Sequence, residues 1–226
     1  MSYYIILMCL IPVQCRYSTS EIEQGSTEIN KRIAEDLSDR PATGNFNVKG
    51  IEHLPDKRFV ADKDHSSISF RTKHWEIVDL IGWVDDFDVV MYSDHDDFTD
   101  AIIMARADPG SIHMPNIKMA QSLGKFPYMD AVNFPEIRFE SDSLILTGFR
   151  KYDLFGKMTI NGISRPTIFD VAFNGYAYPG EQSICGFNID GVIKRHEFEI
   201  GTDDELHSGR VIHDSLIFLS MSLRME

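Results

Sequence analysis

The chain has 226 residues, 43% of them hydrophobic and 15 of them Phe, enough for one well-filled domain plus an appendage. A formal net charge of −13 with no Lys/Arg cluster argues against a nucleic-acid partner, and an anionic membrane would repel the chain as a whole unless a local basic patch docked it. Cys9, Cys15 and Cys185 form no disulfide framework for a β domain, because only Cys185 falls in the β-patterned region.

Tyr3 to Val13 is an apolar run too short to span a bilayer but suited to the central region of an export signal. It lacks a basic start and a small-x-small cleavage site, and Pro12-Val13-Gln14 is a poor lead into Cys15 as a lipidation site. Residues 1–15 are therefore expected to be a signal or anchor segment, which places the protein in the periplasm or outside the cell; the alternative is an ordinary apolar start. Residues 16–55 turn polar and read as a linker or extension. Within them Ser26 would cap a short helix carrying Ile29, Ile33 and Leu37 on one stripe.

From residue 56 to 226 the pattern is that of β-strands with one dry face. Ile68 and Phe70 share a face, as do Trp83, Phe87, Val89 and Met91, then Ile137 and Phe139, then Phe169, Val171 and Phe173. Ile217, Leu219, Met221, Leu223 and Met225 alternate with polar residues to the end of the chain. Asn161-Gly162 between two β-prone runs predicts a tight type I′ turn. Between Pro109 and Pro135 the period changes: Asn116, Ile117, Ala120 and Leu123, stopped by Gly124, predict one or two helical turns in a long connection. The rest of that connection holds Phe126, Tyr128 and Phe134, which would form either a lid or rim or a plug in the end of a barrel.

Catalytic and metal motifs are sought without result. His65 and His74 would face opposite ways on an uninterrupted strand, and His95 sits among acids in what reads as a solvated turn. The eight Asp between Asp79 and Asp100, with no Lys or Arg among them, would keep that edge of a sheet from associating. Cys185 reads as a small buried thiol, and Ser66 beside His65 is no dyad on a strand. No metal site, cofactor or catalytic residue is expected.

Asp62, His65, Ser66, Phe70 and His74, then Gly82 with Phe87, Ser111-Ile112-His113 and Phe126 carry a further signal. So do the run Asn133 to Ser141, the run Thr159 to Pro166, Cys185-Gly186-Phe187, and the run Lys194 to Ile200. In this order and spacing the chain resembles the YceI-like family of polyisoprenoid-binding, lipocalin-like proteins from about Asp56 to Glu226. It departs from the family at Lys118 to Leu123, where an Arg-Asp-x-x-Leu run is usual and only Leu123 survives.

The resemblance implies an all-β fold, an antiparallel eight-stranded barrel with one short helix in a long connection. Its cavity would hold a long isoprenoid, a polyprenyl phosphate or quinone-like lipid, so the expected function is a non-catalytic binding or carrier protein. The expected lining is Phe70, Phe87, Phe126, Tyr128, Phe134, Phe139, Met158, Phe169, Phe173, Phe187, Phe198, Leu219 and Met221, with Met225 also in reach. Arg165 and Arg195 would pair with a head group or else close surface salt bridges. Transient membrane contact and a homodimer are further expectations. The alternatives are a lipid-modifying enzyme using His65, His74 or His196, or an interaction module with its interior packed shut.

Overall fold

A computed structural model of the chain describes residues 54–75, 77–179, 183–202 and 215–226. The expected signal or anchor segment, the Ser26 helix, Cys9 and Cys15 lie outside the described residues.

The β-patterned region forms one antiparallel sheet of eleven segments. They are β1 (Arg58–Val60), β2 (Ser67–His74), β3 (Val78–Val84), β4 (Phe87–Tyr92), β5 (Ile102–Ala107), β6 (Ile112–His113), β7 (Ile137–Gly148), β8 (Lys151–Ile160), β9 (Ile163–Ala177), β10 (Ile184–Lys194) and β11 (Leu216–Met225). The helix α1 (Ile117–Leu123) lies in the connection from β6 to β7. Asn116 caps it, its side-chain oxygen accepting from the amides of Lys118 and Met119, and Gly124 follows it.

Eleven segments reduce to the eight expected strands because two of them are bent. The β2–β3 ladder pairs His74 with Val78 and Ile68 with Val84, and the β1–β4 ladder continues with Val60 opposite Val90 and Arg58 opposite Tyr92. β1 and β2 are thus one strand interrupted by a 3-10 turn at Lys63–His65, and β3 and β4 are its antiparallel partner, bent at Asp85 and Asp86. β6 adds only two residues to the edge of β3. From β4 the pairing passes through β5, β7, β8, β9, β10 and β11.

The ring then closes on its first strand. β11 pairs with β2 from Ser222 opposite Ser67 to Phe218 opposite Arg71, and Ala61 bridges Met225. Val60 and Glu226 exchange both backbone hydrogen bonds, at 2.8 and 3.0 Å. The amide of Asp62 donates to the carbonyl of Arg224 at 2.8 Å, and the Asp62 carboxylate takes a salt bridge from Arg224 Nη1 at 2.9 Å. A cyclic sheet of this kind leaves few unpaired strand edges, and its alternating side chains divide into an inner and an outer set.

Parity holds on most strands. Ile217, Leu219, Met221 and Leu223 of β11 and Ile137 and Phe139 of β7 face inward as expected. Trp83 does not join Phe87, Val89 and Met91: Val84 takes the inner position, while Trp83 stacks on the His113 ring at 5.2 Å. The bend at Asp85 and Asp86 shifts the alternation by one residue, which sequence spacing alone hides.

The acid-rich stretch is expected to guard a sheet edge, but β4 within it is paired on both sides, with β1 and β5, and its next carboxylates brace a turn. Asp100 accepts from Ser93 Oγ at 2.5 Å and from the amides of Asp94 and His95, and Asp94 accepts from the amides of Asp56 and Lys57. These carboxylates brace the turn that carries Phe98 into the core. Burial alone would raise the Asp100 carboxyl, but those three hydrogen bonds hold it below the ordinary carboxylate value. A depressed value in the folded state means stability that is present above the unfolded value of about 4 and is lost as acidification passes through the folded one. Replacing Asp100 with Ala is expected to cost about 1–3 kcal/mol in urea denaturation at neutral pH, with the difference from wild type shrinking below pH 4.

Candidate ligand cavity

Inside the ring lies a cavity of about 160 Å³ with an almost wholly apolar wall. β2 contributes Ile68, Phe70 and Thr72; β5 contributes Ile103, Ala105 and Ala107; β7 and β8 add Ile137, Phe139, Leu154, Met158 and Ile160. Phe169 of β9, Ile189 and Ile193 of β10, and Ile217, Leu219, Met221 and Leu223 of β11 complete the circle. The hydroxyl of Thr72 is turned to the carbonyl of Leu216 at 2.9 Å, so it adds methyl surface rather than an open polar group.

Three of the lining phenylalanines lie against glycines of the neighbouring strand. Phe70 is directly opposite Gly82, Phe169 directly opposite Gly191, and Phe139 diagonal to Gly156. A β-carbon at any of the three would come within 2.6–2.7 Å of a ring carbon, so only glycine lets the ring rest flat on the wall. Phe139 and Phe169 then meet edge to face at 5.3 Å. The lumen stays hollow because its largest side chains are laid along its surface.

One end is solid. Phe98, fully buried, makes edge contacts with Phe59 at 6.2 Å, Phe173 at 5.1 Å and Phe187 at 5.2 Å, and Phe173 also packs on Tyr176. Cys185 lies beside this cluster, 2% exposed, and burial pushes its thiol up to about 12. Tyr176, 37% exposed, stands at the outer side of the cluster, where partial desolvation raises its hydroxyl to about 12. This end is therefore a dry aromatic plug with an inert thiol.

The other end is built from chain segments far apart in sequence. The Asn161-Gly162 turn has both residues at positive φ, 52° and 74°, as the expected turn type requires. Its Asn161 Nδ2 donates to the carbonyls of Tyr128 at 2.8 Å and Phe198 at 3.2 Å, tying the long connection to the segment after β10. The amide of Gly201 donates to the Pro127 carbonyl at 2.8 Å, and the Tyr128 ring lies on Gly201. Leu123 of α1, Tyr128 and Met129 thereby close over part of the lumen.

Three arginines reach the wall at this end. Arg195 is 6% exposed and donates from Nη1 to the Ile200 carbonyl at 3.1 Å. Arg106 donates to Asp88 and sits 3.8 Å from Glu136, which also takes Arg138 Nε. Burial would raise the Asp88 carboxyl, but hydrogen bonds and charge from Arg106 and Lys63 hold it below the ordinary value. Arg106 and Arg138 alternate with the inward Ala105, Ala107, Ile137 and Phe139, so their guanidinium groups lie on the outer face with their charge locally balanced.

Of the residues expected to line a cavity, Phe70, Tyr128, Phe139, Met158, Phe169, Leu219, Met221 and Arg195 do so. Phe87 and Phe198 are packed solid in the core, Phe173 and Phe187 belong to the plug, and Met225 is buried outside the cavity. Phe126 is 82% exposed, and Phe134 covers Gly162 from outside. Arg165 turns back to the Ser164 carbonyl on the surface. Parity identifies the inward face of a strand but not the depth along it, and this accounts for most of these differences. Gly82, Gly156, Gly191, Ala105 and Ala107 are the residues that spacing missed; glycines at inward strand positions were their signal.

His65, His74 and His196 do not line the cavity; His65 is bonded to Asp62 at 2.7 Å at the seam of the ring. Because the lumen is open, the interior is not packed shut.

Residues 59–220 match the model of the YceI-like domain. A UPF0312 protein of Staphylococcus aureus strain N315 is 31% identical over 157 residues, spanning 68% of this chain and 88% of its own. Among solved structures, BcnA of Burkholderia cenocepacia superposes with a TM-score of 0.63 at 21% identity, over 73% of this chain and 98% of that one. A polyisoprenoid-binding domain from Saccharophagus degradans gives 0.53 at 9% identity, over 77% and 99%.

Gly191→Ala is expected to push the Phe169 ring off the wall, costing about 1–3 kcal/mol in denaturation and lowering the uptake of an apolar fluorescent probe. Cys185, in a chain with Cys9 and Cys15 replaced by Ser, is expected to resist iodoacetamide at pH 8 until denaturant is added; rapid native labelling would contradict its burial.

Proposed function

Because the chain belongs to the YceI-like family, we propose that it is a non-catalytic carrier that holds the hydrocarbon tail of an isoprenoid lipid inside its barrel. One observation carries this reading, the hollow apolar lumen that is sealed at one end and lined by residues from nearly every strand. Removing a tail from water is worth about 0.8 kcal/mol per methylene, so each five-carbon unit offers roughly 3–4 kcal/mol before association costs. Met158, Met221 and Met129 give the wall adaptable surface for a branched chain. The polyisoprenoid-binding domain of like fold from Saccharophagus degradans supports the choice of ligand class.

The head group, a phosphate or a quinone-like ring, would lie at the open end near Arg195. Trp75, Ile77, Phe126 and Val132 are exposed on segments around that end, and would give a bilayer a transient foothold while the tail is exchanged. Such a carrier acts outside the cytoplasm, in keeping with an export segment in residues 1–15.

The test is mass spectrometry of lipids that copurify with the protein, followed by delipidation and titration with prenyl alcohols. Isoprenoids in the extract and affinity that rises with tail length are expected. Phospholipid fatty acids alone, or no lipid and no binding, would overturn the reading. Ala105→Phe, which fills the lumen, is expected to cut affinity at least tenfold.

A further inference from the structure

Resting on that reading, we infer that the aromatic plug is a ruler: it sets the length of tail the barrel holds, and Phe187 is the residue that fixes the limit. The lumen is blind. Along β10, Ile193 and Ile189 line it, and Phe187, next on the same face, does not. Phe187 stands opposite Leu223 of β11, itself a lining residue, so its ring lies directly behind the innermost wall. Phe98 and Phe173 hold that ring from behind, each with its centroid 5.2 Å away. No gap remains for a chain to pass, since the three rings and Tyr176 pack edge to face and tilted.

Size follows from the same geometry. On β11 the lining runs from Ile217 to Leu223, about 20 Å along a strand at ~3.3 Å per residue, or roughly 15 Å of depth once the tilt of a barrel strand is allowed for. At ~10–15 Å³ for each water-sized body, a volume of about 160 Å³ admits roughly ten to fifteen methyl-sized groups, two to three isoprene units. Further units would lie outside, past Leu123, Tyr128 and Met129, where each hides little surface from water. Affinity should therefore climb with length and then stop.

The full-length, delipidated protein titrated with all-trans prenyl alcohols of increasing length reads this directly. Affinity is expected to rise by up to ~100-fold per isoprene unit while the lumen fills, then to stay within about threefold for longer alcohols. Phe187→Ala removes six ring carbons from the floor and is expected to move the plateau out by about one unit, with Phe187→Leu moving it less. Should the first variant fail to fold, Ala105→Leu acts at the opposite sign by narrowing the lumen itself, and is expected to bring the plateau in. Continued tightening at all lengths, or one plateau shared by wild type and the folded variants, would overturn the ruler while leaving the carrier reading in place. Absence of binding, or affinity indifferent to length from the shortest alcohol on, would overturn both.

Discussion

Three inward phenylalanines resting on glycines of adjacent strands make the difference between a barrel that is full and one that is hollow. An eight-stranded barrel has an interior just wide enough for its own side chains to fill. Phe70, Phe139 and Phe169 would fill it if their rings projected toward the axis. Gly82, Gly156 and Gly191 leave a flat bed in the wall, and the rings lie in it. Glycine in a strand loses stability through backbone entropy and missing side-chain contacts. Here the overlying ring restores part of the lost contact, so the hollow costs less than three bare glycines would.

That arrangement sorts the barrel into a dry half and an accessible half. At one end Phe59, Phe98, Phe173, Phe187 and Tyr176 interlock, and a turn braced by Asp94 and Asp100 holds Phe98 in their midst. At the other, Asn161 couples a hairpin, the long connection and the segment after β10 through two side-chain hydrogen bonds. Polar side chains carry both ends, but to different effect: carboxylates lock a turn under the plug, whereas one amide holds together the rim.

Much of the fold was legible because period-two alternation is a direct consequence of the pleat. β11, β9, β7 and the helix capped by Asn116 stand where their patterns put them. The site was legible by face and not by depth. Phe173 and Phe169 have the same parity, yet one is in the plug and the other on the wall, because the distinction depends on what the barrel brings opposite each. Trp83 was misread because a bend at Asp85 and Asp86 changes parity without leaving a glycine or proline to mark it. Arg165 and Arg195 looked alike in sequence; a left-handed Glu199, at φ 54°, turns the chain back so that the second is buried against Ile200.

The seam that joins Val60 and Asp62 to Arg224 and Glu226 bears on how the molecule comes into being. A ring fastened between β1–β2 and β11 has no finished circumference until β11 has been made. Until β11 has been made, the oily inner faces of the strands before it lack their closing partner, and contacts of such long range form slowly.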